Sequence, residues 1–235
     1  MDRELGRLDR RGRRLPRRVR RQGAPPHRRA VRRVPRPGRR RARPLAPLAR
    51  GGAPRVRAGA RPRRVVLTGS ECTGKTFLAR TLAGRLGVPF VPEFVRLYAE
   101  EKGAPLDASD VEPVARGQMA AEDAVAAGPA GLVVLDTDLL STVVYARHYY
   151  GACPRWVEEA AFSRLGDLYL LCHPDVPWLP DGVRDRGERR EEMHALFAGT
   201  LARLGARVAD VTGPWGTREL RAFEAIEALA AAGRS

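Results

Sequence analysis

Eight consecutive residues, Gly69-Ser70-Glu71-Cys72-Thr73-Gly74-Lys75-Thr76, set glycine, lysine and a hydroxyl at the spacing of a phosphate-binding loop. Gly69 and Gly74 allow the backbone to turn successive N–H groups toward one anion, and a helix starting near Lys75 adds the positive end of its dipole. The Lys75 ammonium is long enough to reach the β- and γ-phosphates of ATP, while the Thr76 hydroxyl suits Mg2+. All eight residues are therefore assigned to nucleotide binding, with Lys75 catalytic and Thr76 a metal ligand.

Carboxylates at two strand ends fit the same chemistry. Asp136 closes the apolar run Leu132-Val133-Val134-Leu135, where it can hold Mg2+ directly or through water; the competing role is to cap the helix that follows. Asp138 is better placed for that cap. Glu93 follows the run Val88-Pro89-Phe90-Val91 and can take the proton of an attacking hydroxyl or bind a sugar diol, or else it is a first-turn helix acid facing the dipole. Arg96 and Tyr98 are candidate acceptor contacts on the same helix, and Tyr98 suits equally an aromatic substrate or the core. Between Asp181 and Arg190 two glycines bracket a dense set of charges, as a mobile lid requires. Arg184 is expected to close over the transferring phosphoryl group, and Arg189 and Arg190 to begin a solvated helix.

Holding these groups in place takes strands and helices in alternation. Arg64 to Thr68 is a β-branched apolar run that enters the loop, and Lys75 to Leu86 carries helical spacing through Phe77, Leu78, Leu82 and Leu86 before Gly87 stops it. Further strands are predicted at 88–91, 132–135, 168–171 and 207–211. Helices are predicted at 93–102, 110–127, 139–150, 155–164 and 216–231, with another ending at Leu204. Strands apolar enough for burial on both faces predict an α/β fold, a mostly parallel five-stranded sheet with helices on each side.

The charge is unevenly spread. Residues 1–64 hold 25 Arg and three acids, and the net +16 of the chain divides into +22 up to Arg64 and −6 beyond it. Residues 1–63 lack Ser, Thr, Asn, Ile and aromatic side chains, so they cannot bury enough apolar surface to offset the entropy of ordering them and are predicted to be disordered. The predicted domain runs from 64 to 235. The basic segment reads as upstream DNA translated from a start assigned too early, as an idle tail, or as an arm that meets nucleic acid non-specifically through counterion release. Three cysteines without a CxxC pair imply neither a disulfide framework nor a zinc site, and a cytoplasmic setting is expected. No apolar run is long enough to cross a bilayer.

Several blocks occur in a telling order: the loop at 69–76, Glu93-Phe94-Val95-Arg96, Ala115-Arg116-Gly117-Gln118, Leu135-Asp136-Thr137-Asp138, and Val176-Pro177-Trp178-Leu179-Pro180-Asp181-Gly182-Val183-Arg184. With them, residues 64–232 resemble the nicotinamide riboside kinase (ribosylnicotinamide kinase) portion of the bacterial bifunctional NAD-biosynthesis and regulator proteins. The resemblance implies a P-loop NTPase fold like that of the nucleoside monophosphate kinases, with a lid, and transfer of the γ-phosphoryl group of ATP, with Mg2+, to the 5′-hydroxyl of nicotinamide riboside. It also implies that Gln118, Asp138 and Trp178 join Glu93, Arg96 and Tyr98 on the acceptor side. The first 63 residues carry no nucleotidyltransferase signature and no helix-turn-helix, so neither of those activities is expected. Another nucleoside or small alcohol as acceptor stays open, as does a nucleotide-switched regulatory ATPase that uses the basic arm.

Overall fold

The computed structural model describes residues 61–176 and 189–232. Nearly all of the basic segment, together with Trp178 and Arg184, lies outside these residues. Five strands form one sheet: β1 (Arg63–Thr68), β2 (Phe90–Val91), β3 (Leu132–Asp136), β4 (Leu168–Cys172) and β5 (Val208–Val211). Their order is β2-β3-β1-β4-β5, and every neighbouring pair is parallel. Parallel neighbours need crossovers, and helices provide them: α1 (Lys75–Leu86), α2 (Phe94–Lys102), α3 (Val111–Ala126), α4 (Leu139–Tyr150), α5 (Arg155–Ser163), α6 (Arg190–Arg203) and α7 (Trp215–Ala232).

Alternation along β1 divides the core into two layers, because successive side chains of a strand face opposite sides. Val65 and Leu67 pack with Leu78 and Leu82 of α1 and with Phe223 and Ile226 of α7. Val66 points the other way and joins Val144 of α4, Tyr169 of β4 and Phe197 of α6. Strands covered on both faces read as continuous apolar runs, which is why β1, β3 and β4 are evident in the sequence.

Two strand boundaries differ from expectation for identifiable reasons. The second strand was expected to begin at Val88, but the Val88 N–H closes the end of α1 on the Ala83 carbonyl and Pro89 has no N–H to offer. Pairing therefore starts at Phe90. At the other boundary β1 begins at Arg63, one residue ahead of the expected limit, and Arg61 grips Asp167 with two hydrogen bonds of 2.9 and 3.0 Å.

Register fixes where the chemistry sits. Leu67 is paired with Asp136, and Thr68 with Leu171, so the loop after β1, the carboxylate ending β3 and the chain leaving β4 share one edge of the sheet. Ligands of open α/β sheets gather at that carboxyl edge. Among the described residues no helix is long and apolar enough to cross a membrane.

Candidate functional site

The loop between β1 and α1 needs its two glycines. Gly69 has φ 121°, and a Cβ there would stand 2.6 Å from the Cys172 carbonyl oxygen; Gly74 has φ 83°, and its Cβ would stand 2.8 Å from the Trp215 ring. Neither position accepts a side chain, so the loop is drawn tightly between β4 and α7. Cys72 is also left-handed, with φ 52°. Inside the loop the Thr73 hydroxyl donates to the Ser70 carbonyl at 3.0 Å. The Lys75 ammonium, only 6% exposed, donates to the carbonyls of Gly69 at 3.0 Å and Ser70 at 2.7 Å. The N-cap of α1 is Gly74, which has no side chain to offer the first-turn N–H groups, and uncapped N–H groups at a helix start suit an anion.

Beside the loop stands Asp136, 1% exposed. Burial pushes its carboxyl above the ordinary range and the nearby Glu93 adds to this, while the Thr76 hydroxyl, which donates to it, and the Lys75 charge pull it down. Among the described residues its Oδ1 is buried without a protein donor. An unsatisfied carboxylate oxygen next to a threonine hydroxyl is a hard-oxygen donor set, and it fits Mg2+. Among the described residues no three His, Cys, Asp or Glu side chains gather as a metal cluster; an ion that takes most of its ligands from phosphate and water needs no such cluster.

Glu93 is buried at the start of α2, where it makes no side-chain cap and instead accepts from Arg96 Nε at 2.8 Å. Both residues line a cavity of about 770 Å3 together with Gln118, Thr137, Tyr145 and Tyr149. Thr137 follows Asp136 directly and holds φ 69°, a conformation costly for a β-branched residue. Thr137 thus brings the cavity wall to within one residue of Asp136.

Three acceptor-side expectations take a different form. Gln118 lines the cavity, but its amide is engaged: Oε1 accepts from the Phe94 N–H at 3.0 Å and Nε2 donates to Glu122 at 3.1 Å. It caps α2 from a neighbouring helix and so fixes the residue next to Glu93. Asp138 is not among the lining residues; its carboxylate accepts from the Tyr169 hydroxyl of β4 at 2.7 Å. Tyr98 is absent from the lining as well, since its hydroxyl donates to Asp110 at 2.8 Å. Arg96 does line the cavity, whereas Trp178 and Arg184 fall outside the described residues.

Other residues were missed. Tyr145, Tyr149 and Tyr150 form an aromatic wall on α4, with the rings of Tyr145 and Tyr149 parallel within 2° at 6.0 Å; their i, i+4 spacing was the available signal. Arg190, expected to be solvated, is buried and donates to the carbonyls of Cys72 at 3.4 Å and Val176 at 3.2 Å. Arg218 is 0% exposed and donates to Thr73 O at 3.1 Å, His173 O at 2.8 Å, Gly213 O at 2.9 Å and the Asp175 carboxylate. It ties the loop to β4 and α7.

Comparison with known proteins bears on the family and the fold. A family model described as AAA domain matches residues 64–218. The trifunctional NAD biosynthesis/regulator protein NadR of Escherichia coli K12 is 27% identical over 141 residues, covering 57% of this chain and 34% of that protein. Its Salmonella typhimurium LT2 counterpart is 27% identical over 131 residues, 53% of this chain and 32% of that one. The chain thus spans about a third of the length of these curated relatives. Among solved structures, NadR in complex with NR, nicotinamide riboside, superposes with a TM-score of 0.61 at 26% identity, over 72% of this chain and 50% of that one. NadR with NAD and AMP-PNP gives 0.61 at 28%, over 72% and 49%. Thymidylate kinase from Ehrlichia chaffeensis gives 0.54 at 14%, over 72% and 98%, a likeness of fold.

Proposed function

The chain belongs to the AAA domain family, and on that premise we propose that it is an ATP-dependent kinase phosphorylating nicotinamide riboside on its 5′-hydroxyl. The fold is the P-loop nucleoside-kinase type. Weak similarity to NadR, one structure of which holds nicotinamide riboside, supports the choice of acceptor.

One observation of this chain's own carries that choice: the acceptor cavity combines an aromatic wall with surplus negative charge. Glu100, Asp107 and Asp110 line it beyond the Glu93–Arg96 pair, and Lys102 offsets part of their charge through contacts of 3.1 Å to Asp107 and 2.5 Å to Asp110. The Ser109 hydroxyl and N–H, with Lys102, hold the Asp107 carboxyl at about 2, so it stays ionised. Burial and then the charges of Asp110 and Asp107 push the Tyr150 hydroxyl upward, which puts tyrosine and carboxylates at the same end. Aromatic faces and carboxylates together favour a flat cation. The pyridinium ring of nicotinamide riboside is one, whereas the bases of ordinary nucleosides are neutral.

In this mechanism the loop N–H groups and Lys75 hold the triphosphate, and Thr76 and Asp136 would hold Mg2+. The bound ion supplies charge neutralisation on the phosphate oxygens. Close to Asp136, Glu93 faces the acceptor hydroxyl, orients it and receives its proton, while Arg96 keeps that carboxylate in place. Because phosphoryl transfer asks mainly for positioning and charge compensation, this small set suffices. The test is a screen of purified protein with MgATP against nicotinamide riboside and the common nucleosides, read by product mass. A phosphorylated product from nicotinamide riboside is expected; ATP turnover that leaves every nucleoside unmodified would overturn the proposal.

A further inference from the structure

A carboxylate is an odd occupant of an anion-binding loop. The loop pattern specifies Gly69, Gly74, Lys75 and Thr76 and leaves position 71 open, because phosphate is held there by backbone N–H groups. Yet Glu71 is present and only 8% exposed, where a second negative charge repels the ligand. Its carboxylate is turned toward α4: Oε1 accepts from the Tyr149 hydroxyl at 3.3 Å, across 78 residues of sequence. Tyr149 in turn lies parallel to Tyr145, and Tyr145 meets Phe197 of the core edge-on at 5.5 Å. Both tyrosines line the acceptor cavity. A side chain of the nucleotide loop therefore braces the aromatic wall of the other site.

The same stretch of loop is the part that nucleotide must disturb. Two of the three protons of the Lys75 ammonium are given to the carbonyls of Gly69 and Ser70, the residues just before Glu71. Phosphate oxygens that draw on this ammonium compete with those carbonyls and so shift the backbone at Ser70 and Glu71.

We propose that the Glu71–Tyr149 contact couples the two sites, with nucleotide and acceptor each tightening the binding of the other. This rests on the cavity being the acceptor site. Glu71 and Tyr149 are positioning residues: neither acts on a reacting atom, and their effect is the alignment of the ring stack with the loop. Coupling of this kind is reciprocal by thermodynamic necessity, so one ratio describes both directions.

The experiment is calorimetric titration of nicotinamide riboside with and without a non-hydrolysable ATP analogue, then of the analogue with and without the riboside. In the wild type the ratio of affinities is expected to be about fivefold or more, and equal in both directions. In Tyr149→Phe, which keeps the ring and removes only the hydroxyl, the ratio falls to about one. Glu71→Gln, whose amide oxygen still accepts the hydroxyl, retains the ratio, and Glu71→Ala loses it. A wild-type ratio of one, or a Tyr149→Phe protein with the ratio intact, overturns the coupling. If nicotinamide riboside fails to bind at all, the acceptor assignment falls instead, and the same ratio measured with the nucleoside found by the product-mass screen decides the coupling.

Discussion

At the scale of single residues one cation, Lys75, and two carboxylates, Asp136 and Glu93, surround the proposed path of the transferring group. Lys75 is held by two carbonyls of its own loop, so removing it takes away a charge while the fold of β1 and α1 stays supported by the two core layers. Lys75→Ala is expected to lower turnover by about 10²- to 10³-fold, the cost of losing one preorganised donor at developing charge, with an unchanged melting curve. A purified variant keeping most of its rate would show that the loop does not act through this ammonium. Glu93→Gln tests the acceptor side. It should cost about 10²-fold or more in turnover while ATP affinity, measured by titration, changes little. Loss of nucleotide binding in that variant would move Glu93 from the acceptor side to the metal.

At the scale of elements, the position of Glu93 depends on how α2 is anchored. Gln118 on α3 accepts the first N–H of α2 and donates to Glu122, and Glu122 in turn meets Arg64 of β1 at 2.6 Å and Arg164 at 3.2 Å. Burial pushes the Glu122 carboxyl up to about 7, against the pull of these arginines. A carboxyl raised on folding contributes stability that is present below its ordinary 4.5 and is lost as the pH climbs to about 7. The amount is ~3 kcal/mol at most. Glu122→Gln mimics the protonated form, so the stability gap between variant and wild type should shift in the variant's favour across that window in denaturant titrations; a gap constant with pH would contradict this. The elements themselves were legible in the sequence because each strand is a short apolar run and each helix keeps its spacing. The loop and Asp136 were legible for the same reason, being tied to local strand ends. Arg190, Arg218 and Glu71 were not, since their partners lie 118, 145 and 78 residues away and no local pattern records such contacts. Gln118 and Asp138 were expected on the acceptor side; the structure holds their side chains on Glu122 and Tyr169, contacts that no local pattern records.

At the scale of the whole molecule two claims meet: where the enzyme begins, and what it acts on. Arg61, the first described residue, already holds Asp167, and the composition of the preceding stretch argues against its belonging to the core. Deleting residues 1–60 is therefore expected to leave kinase turnover and melting temperature nearly unchanged, and to remove most salt-sensitive adhesion to nucleic acid. A truncated protein that fails to fold would put part of that segment into the domain. The central claim, however, is that the cavity selects a cationic ring and delivers its ribose hydroxyl to the loop. The most direct measurement is kcat/KM for nicotinamide riboside against its reduced dihydro form, which has nearly the same shape and no charge on the ring. The charged form is expected to be favoured about tenfold or more, the worth of ~1.4 kcal/mol; equal efficiency, or preference for the neutral form, would contradict selection of a cationic ring.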